Sequence, residues 1–508
     1  MDKTSLESQH PQLEQFATTY IKTSDCANGQ DAVKSAGERY LPKLPGHEVG
    51  NGGQILYNLY KNYAVYFPGV GRTVDGYMGL AFRKAPVFSG KIGEFEKDVT
   101  LDGEPIDSFA RKLLRDMVVR FRPGILVDMP VIDTEQPMTV SEMSAVARPY
   151  FTIYSTDSIL DWRESFIGGR VQTTFVKLFE SEYRPTEADP LKYEKVSRVR
   201  VLSLTDQGIY RQQAYELVTV NDNDKKQEYQ LITDVEPVIN GKKLNYIPFI
   251  PASKNGIEWG LDYSPINDLS DISIAHYRNS ASYQNGVLIS GCPTLCVAGL
   301  LPDSKDGNGN IVMGASTVMQ FETGGNAWFA QIGTEGLAET RLSMDRLEKQ
   351  MALLGSRILQ GDNPMAEAAQ TAGIHRSGEN GVLANICNIA AMAITEALKI
   401  VAEWTGYGPE NISYEMNTDF EDQRIDPSVL ASLMQALQAG LISKETFYHN
   451  LKRGEVYEQG RTFKDEMAAI ERDMTDSFGV ADQRYQELTA KIEALQPTAD
   501  TGEAPDQV

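Results

Sequence analysis

Cys292 and Cys296 are the two thiols of this chain that stand close enough to suggest a shared ligand. A zinc site needs paired Cys or His sets. Here Pro293, Thr294 and Leu295 separate the thiols, no second pair exists and no histidine lies near. Cys26 and Cys387 stand alone, so all four read as buried thiols in a reducing compartment. Gly69-Val70-Gly71 opens like a dinucleotide loop, but Arg72-Thr73-Val74 follow and the third glycine is missing. No G-x-x-x-x-G-K-[ST] phosphate loop occurs. Asp306, Asn308 and Asn310 imitate the start of a calcium loop. Ile311 then occupies the glycine position and no glutamate closes the loop, which leaves a solvated turn. His10, His47, His276, His375 and His449 have no Cys, Ser or His partner at a catalytic spacing. Acidic pairs such as Glu415 and Asp419 arise by chance among 70 acidic residues. The expectation is therefore a chain without catalytic, metal or cofactor site.

Composition narrows the class further. The formal charge is −22, which excludes a simple basic DNA-binding surface, because phosphate binding needs clustered Lys and Arg. It does not exclude a wall past which a duplex slides, since acidic groups repel phosphate. At 508 residues, with 41% apolar and 23% charged, the chain is globular and longer than one ordinary domain. MDKTSLESQH lacks the apolar centre of a signal peptide. Ile386 to Trp404 is the most apolar long stretch. Its Asn388, Glu396, Lys399 and Glu403 make it read as too polar for a bilayer, so no membrane is expected.

The elements that would position any site follow from periodicity. Residues 1–45 are polar with one weak helical stretch, Leu13 to Ile21. Gly53 to Phe82 is helical and rich in tyrosine, broken at Pro68-Gly69, and Ser108 to Val119 is a second helix. Gly124 to Asp128 reads as a short buried strand. Between 149 and 250, β-prone runs at 150–154, 171–179, 196–204, 213–220, 228–232 and 246–250 are separated by turns. Those turns include Ile167-Gly168-Gly169, Asn221-Asp222-Asn223 and Asn240-Gly241, so a mainly antiparallel sheet is predicted. A helix over 266–286, a hairpin unit over 287–337 and a helix over 339–359 follow. In the last, Leu347, Met351, Leu354 and Ile358 form an apolar stripe, and Arg346, Lys349 and Arg357 lie off it. Residues 360–380 read as a loop of small residues in which His375 and Arg376 supply the basic groups. Helices are predicted over 381–405, 427–439 and 444–453, with Gly440 and Ser443 as caps. From Phe463 to Leu495 a near-heptad pattern suggests a packing helix, and 496–508 read as disordered.

Several segments, in order, resemble a family of tailed-bacteriophage portal proteins of the podophage type. These are head-to-tail connector subunits long catalogued as a domain of unknown function. The segments begin with Tyr40-Leu41-Pro42-Lys43, Gly79 to Pro86 with its Arg83-Lys84-Ala85-Pro86, and Gly124 to Pro130. Arg148-Pro149-Tyr150, Ile159 to Arg163 and Ile247-Pro248-Phe249 continue the order. Ala275 to Tyr283, Gly291 to Leu295, Asn417-Thr418-Asp419-Phe420 and Ala439 to Thr446 complete it.

The resemblance implies an α+β fold, an elongated subunit with a mixed wing, two stem helices flanking a small clip, a tunnel loop and an α-helical crown. Residues 1–29 would be a tail, 30–263 the wing, 264–286 the first stem helix and 287–337 the clip. Residues 338–359 would be the second stem helix, 360–380 the tunnel loop and 381–475 the crown, with a helical extension and disordered tail over 476–508. It further implies a homo-oligomeric ring, usually of twelve, at one capsid vertex of a virion, assembled in the host cytoplasm. Double-stranded DNA would pass through the channel for packaging, retention and ejection. The terminase large subunit, a tail adaptor, the major capsid protein and a scaffold would be partners. Arg346, Lys349, Arg357, His375 and Arg376 would face the channel or neighbouring acids, and Leu347, Met351, Leu354 and Ile358 would pack the stem. A capsid or tail-tube subunit is the alternative. An enzyme with scattered carboxylates is a third reading, against which the missing catalytic constellation speaks.

Overall fold

The computed structural model describes residues 3–48, 50–130, 148–186, 189–221, 226–291, 294–301, 311, 319–330, 335–356, 369–420, 427–453, 463–472 and 491. The chain is an α+β protein in two compact units, Met1–Phe420 and Glu421–Val508.

The first unit opens with α1 (Lys3–Glu7), α2 (Pro11–Asn28) and α3 (Gln30–Ser35). Residues 1–29 are thus not a tail from Lys3 onward. Leu13, Tyr20 and Cys26 are buried in the main core, and Leu6 packs on a sheet with Val199, Val201, Tyr215 and Tyr229. The partners lie far along the chain, as where Tyr20 donates to the Asp262 carbonyl at 2.9 Å. The predicted tyrosine-rich helix divides at Pro68 into α4 (Gly50–Tyr63) and α5 (Gly69–Ala81). Tyr57, Tyr60 and Tyr66 are buried and Tyr63 is exposed. In α6 (Ile106–Val119), Phe109, Leu113, Met117 and Val118 share a buried face at helical spacing.

Strand β1 (Val87–Ser89) pairs far along the chain. Strands β2 (Gly124–Asp128) and β3 (Tyr150–Tyr154) belong to a small three-stranded sheet. A larger antiparallel sheet runs in chain order through β4 (Ile159–Ile167), β5 (Arg170–Thr186), β6 (Asp189–Leu204), β7 (Tyr210–Asn221) and β8 (Lys226–Val235). After a two-stranded turn of β9 (Val238–Ile239) and β10 (Lys242–Lys243), β11 (Phe249–Pro251) pairs with β2, which is buried at all five positions. The run predicted at 246–250 thus joins β2 and not the large sheet. Gly124 makes this fit, since a Cβ there would lie 2.2 Å from the Phe249 ring.

Helix α7 (Asn267–Gly291), strands β12 (Thr294–Leu300) and β13 (Phe321–Ala330), and helix α8 (Glu335–Met351) come next. A five-residue π turn, Ala352–Ser356, ends α8. The long helix α9 (Ala369–Thr405) follows, and β14 (Ser413–Glu415) pairs with β1. The loop predicted over 360–380 is therefore helical from Ala369; residues 360–368 lie outside the described residues. Gly381–Thr405 is long and apolar enough to cross a membrane, despite its charged residues. Its Ile386, Ile389, Ile394, Leu398 and Val401 are buried in the protein core, with Ala390, Ala393 and Ala397 allowing close approach of neighbours. This stretch is core of the first unit, so the boundary between units falls at Glu421 and not at 381.

In the second unit, α10 (Pro427–Gln438) and α11 (Lys444–Arg453) meet at Gly440, whose φ of 71° suits glycine. The Leu441 amide donates to the Ala436 carbonyl at 2.9 Å, and the Ser443 hydroxyl accepts the Thr446 amide at 3.0 Å, so both predicted caps form. Residues 463–472 are helical, with Phe463 against Tyr448. The remainder of the predicted heptad helix lies outside the described residues, apart from Lys491, as do residues 496–508.

Candidate functional site

Helices α7 and α8 lie antiparallel, with the β12–β13 hairpin between their joined ends. Ser264 starts α7. Its hydroxyl accepts the Ile266 amide at 3.2 Å and donates to the last turn of α6 at Val118, 2.9 Å. From there the two helices touch in a constant antiparallel register. The Ser273 hydroxyl reaches the Met351 sulfur at 3.1 Å, and His276 Nε2 meets Glu348 at 3.1 Å. Asn279 donates to Ser343 at 3.1 Å, and Gly286 lies so close to Leu337 that a Cβ would come within 2.5 Å. At the far end the π turn lets Gly355 nestle against Thr73 and Leu269, where a Cβ would lie 2.3 Å and 2.9 Å from their side chains.

This geometry distributes the predicted stripe unevenly. Met351 is buried and Leu347 half-buried, both turned towards α7. The wider π turn then shifts the phase, so Leu354 is 44% exposed and borders a cavity of about 580 Å³ with Tyr77, Phe121, Val382 and Ile386. The stripe predicted as continuous therefore breaks after Met351. Arg346 and Lys349 are exposed on the outer side of α8, and neither is ion-paired among the described residues. Ile358 and Arg357 lie outside the described residues. His375 and Arg376 belong to α9 and not to a loop.

The hairpin is poor in charge. β12 carries none, and β13 carries Glu322 alone. The ladder runs from Thr294 opposite Ala330 to Leu300 opposite Phe321, with a bulge at Ala298–Leu300. Trp328 and Phe329 are successive residues and point to opposite faces. They are 50% and 51% exposed, so each face leaves a large ring half open.

One family matches here. It is described as a domain of unknown function (DUF4055), and it matches residues 265–405, the span from α7 through the hairpin and α8 to the end of α9. Among solved structures, a chain in the neck of an empty gene transfer agent particle computed with C6 symmetry is 11% identical, with a TM-score of 0.34, covering 75% of this chain and 88% of that chain. A chain in the virion of the native gene transfer agent particle is 12% identical, with a TM-score of 0.32, covering 77% and 91%. A chain in the neck of the native particle computed with C12 symmetry is 12% identical, with a TM-score of 0.33, covering 75% and 88%. No curated protein matches.

Segments singled out in the sequence meet in space around this span. Arg278 of α7 donates to the Tyr40 carbonyl at 2.7 Å. The Val65 amide donates to Ser280 at 3.0 Å. Lys84 pairs with Asp419 at 3.2 Å, and Asn417 donates to the Leu80 carbonyl at 3.0 Å. Several of the quoted segments are therefore joints between distant parts of the chain.

Sequence reasoning missed a charged centre where the two sheets meet. Arg200 on β6 bridges Asp128 on β2 at 2.8 Å and Glu180 on β5 at 2.7 Å. Tyr154 donates to Glu180, and Tyr150 and Gln212 donate to Asp128 at 3.3 Å each. Burial alone would lower Arg200, but Tyr154, Glu180 and Asp128 outweigh it and hold the guanidinium protonated. Burial pushes Tyr150 up to about 12 and Tyr154 and Tyr210 well above their ordinary value. Beside this centre, Arg122 is 1% exposed and lies 3.9 Å over the Trp162 ring and 5.5 Å from that of Trp259; burial brings it down to about 10. Burial also pushes the Cys26 thiol up to about 11 and Cys387 up to about 12, which makes both unreactive. No single motif marks this centre, because its members come from five strands.

Proposed function

We propose that this chain is a portal subunit, one member of a closed ring of twelve through which double-stranded DNA enters and leaves a viral capsid. The observation that carries this reading is the antiparallel α7–α8 pair ending in a hairpin whose strands are poor in charge and which leaves a half-exposed aromatic ring on each face. A two-stranded hairpin is marginal alone in water. One uncovered face would suit a two-fold dimer, which uses one patch twice. Two opposite uncovered faces suit head-to-tail contact, in which each copy presents one face to either neighbour, and such contacts close into rings.

In that ring α7 and α8 are the stem and the hairpin is the clip. Arg346 and Lys349, exposed and without an ion pair among the described residues, face neighbouring acids or the phosphates of passing DNA. The charge of −22 per copy keeps the duplex from sticking to the wall, and it makes assembly depend on salt. The role is structural and not catalytic: the charged centre at Arg200 keeps its tyrosines far from neutral titration, which suits a brace and not a proton carrier. The clip docks the terminase large subunit during packaging and a tail adaptor afterwards. The outer part of the ring meets the major capsid protein and the scaffold at one vertex.

Native mass spectrometry of the purified chain tests the ring. A single closed oligomer at moderate salt is expected, and a monomer at every salt and protein concentration would overturn the reading. Replacing 287–337 with an unrelated hairpin should abolish adaptor capture in a pull-down while the body stays folded.

A further inference from the structure

The large sheet carries an extension that its own body does not use. β5 pairs with β4 only as far as Leu178, and β6 pairs with β7 only from Arg198 onward. Beyond those points β5 and β6 continue together to Thr186 and Asp189 as a two-stranded arm with neither outer edge paired among the described residues. Six residues of β5, Ser181 to Thr186, project about 20 Å at the usual rise.

The two faces of this arm differ. On one, Glu182, Arg184, Arg198 and Glu216 form an ion-pair cluster, with Arg198 to Glu216 at 2.8 Å and Arg184 to Glu216 at 3.2 Å. The cluster ties the arm to β7 and holds it as a continuation of the sheet. The register places Tyr183 opposite Lys195 and Pro185 opposite Tyr193, so Tyr183, Pro185 and Tyr193 share the other face with one charged residue, Lys195. Leu191, two residues before Tyr193, continues it. Tyr183 is 71%, Leu191 89% and Tyr193 67% exposed. Nearer the body this same face buries Leu6 of α1. The arm is thus satisfied on its polar side, braced, and uncovered on its apolar side.

We infer that the apolar face of this arm packs on a second copy of the chain. The area decides between occupants. Two tyrosines at roughly 150–250 Å² each, with a leucine and a proline and less than full exposure, offer about 400–500 Å². A stable pair of proteins needs about 800 Å² from each side. The arm alone is too small to hold a free partner. It is large enough to add to a contact already made elsewhere, and the hairpin faces of β12 and β13 supply that contact between copies. The inference therefore rests on the ring reading.

The test uses the full chain with Leu191→p-benzoylphenylalanine, prepared as a mixture of ¹⁴N- and ¹⁵N-labelled copies and irradiated after assembly. Adducts that join a light and a heavy copy are expected. The Y183E/Y193E variant should melt like the parent and assemble only at about tenfold higher protein concentration. Rings that form normally but give only intrachain adducts, or a variant that assembles like the parent, would overturn the arm contact and leave the ring reading standing. A parent that stays monomeric would overturn both.

Discussion

The charged centre at Arg200 and the hairpin at Trp328 are built on opposite terms. At the centre, Asp128, Glu180, Tyr150, Tyr154 and Gln212 close around one guanidinium, so the polar groups there answer one another within a single chain. At the hairpin, two large aromatic rings on opposite faces are each left half-exposed. The first region is complete in one copy. The second keeps part of its apolar surface open to solvent in one copy. In the proposed ring, neighbouring copies would cover the hairpin and the arm, and the firm bracing of the sheets would let each copy act as a building block.

That contrast can be broken at either end. The largest effect is expected at the hairpin. Trp328→Asp with Phe329→Asp should abolish assembly in native mass spectrometry while the melting temperature of the monomer stays within about 2 °C of the parent, as for exposed sites. A parallel loss of folding would show that the hairpin belongs to the body. Next comes Arg200→Ala, which leaves two carboxylates facing each other. Urea unfolding of the monomeric hairpin variant should show a loss of roughly 3 kcal/mol or more, the usual consequence of removing one partner from a buried cluster.

Gly355→Ala should cost about 1–3 kcal/mol, because its methyl would meet Thr73 and Leu269 where α8 closes on the body. The smallest effect is at Asp98. Burial alone would raise this carboxyl, but the Gly103 amide, Arg148 and the Thr100 amide outweigh it and hold it below the ordinary carboxylate range. A carboxylate lowered on folding stabilises above its unfolded value and loses that contribution as pH falls through its folded value. Asp98→Asn should therefore cost about 0.5–1 kcal/mol near neutral pH, and the gap to the parent should close in acid urea titrations.

Part of the fold was legible in the sequence. The break at Pro68, the turn at Asn240-Gly241 and the caps at Gly440 and Ser443 rest on local chemistry, and each produced the element expected of it, whereas the stripe from Leu347 held only as far as Met351. What depended on distant partners was hidden. Leu6, Leu13 and Tyr20 looked like part of a polar tail because the surfaces that bury them lie some two hundred residues away. β4 escaped notice because register shifts at Ile159–Asp161 and Arg163–Glu164 spoil its alternation. The glycines at 373 and 378 argued for a loop, each costing a helix about 1 kcal/mol, yet α9 runs through both. At the candidate site the π turn after Met351 could not be anticipated, and it exposes Leu354 where a regular helix would have buried it.

Electron micrographs of the purified full-length chain, with end-on views classed by rotational symmetry, test the central claim most directly. Closed rings with an axial channel and the α7–α8 pairs around it are predicted. Separate compact particles, or an assembly in which those helix pairs face outward, would contradict it.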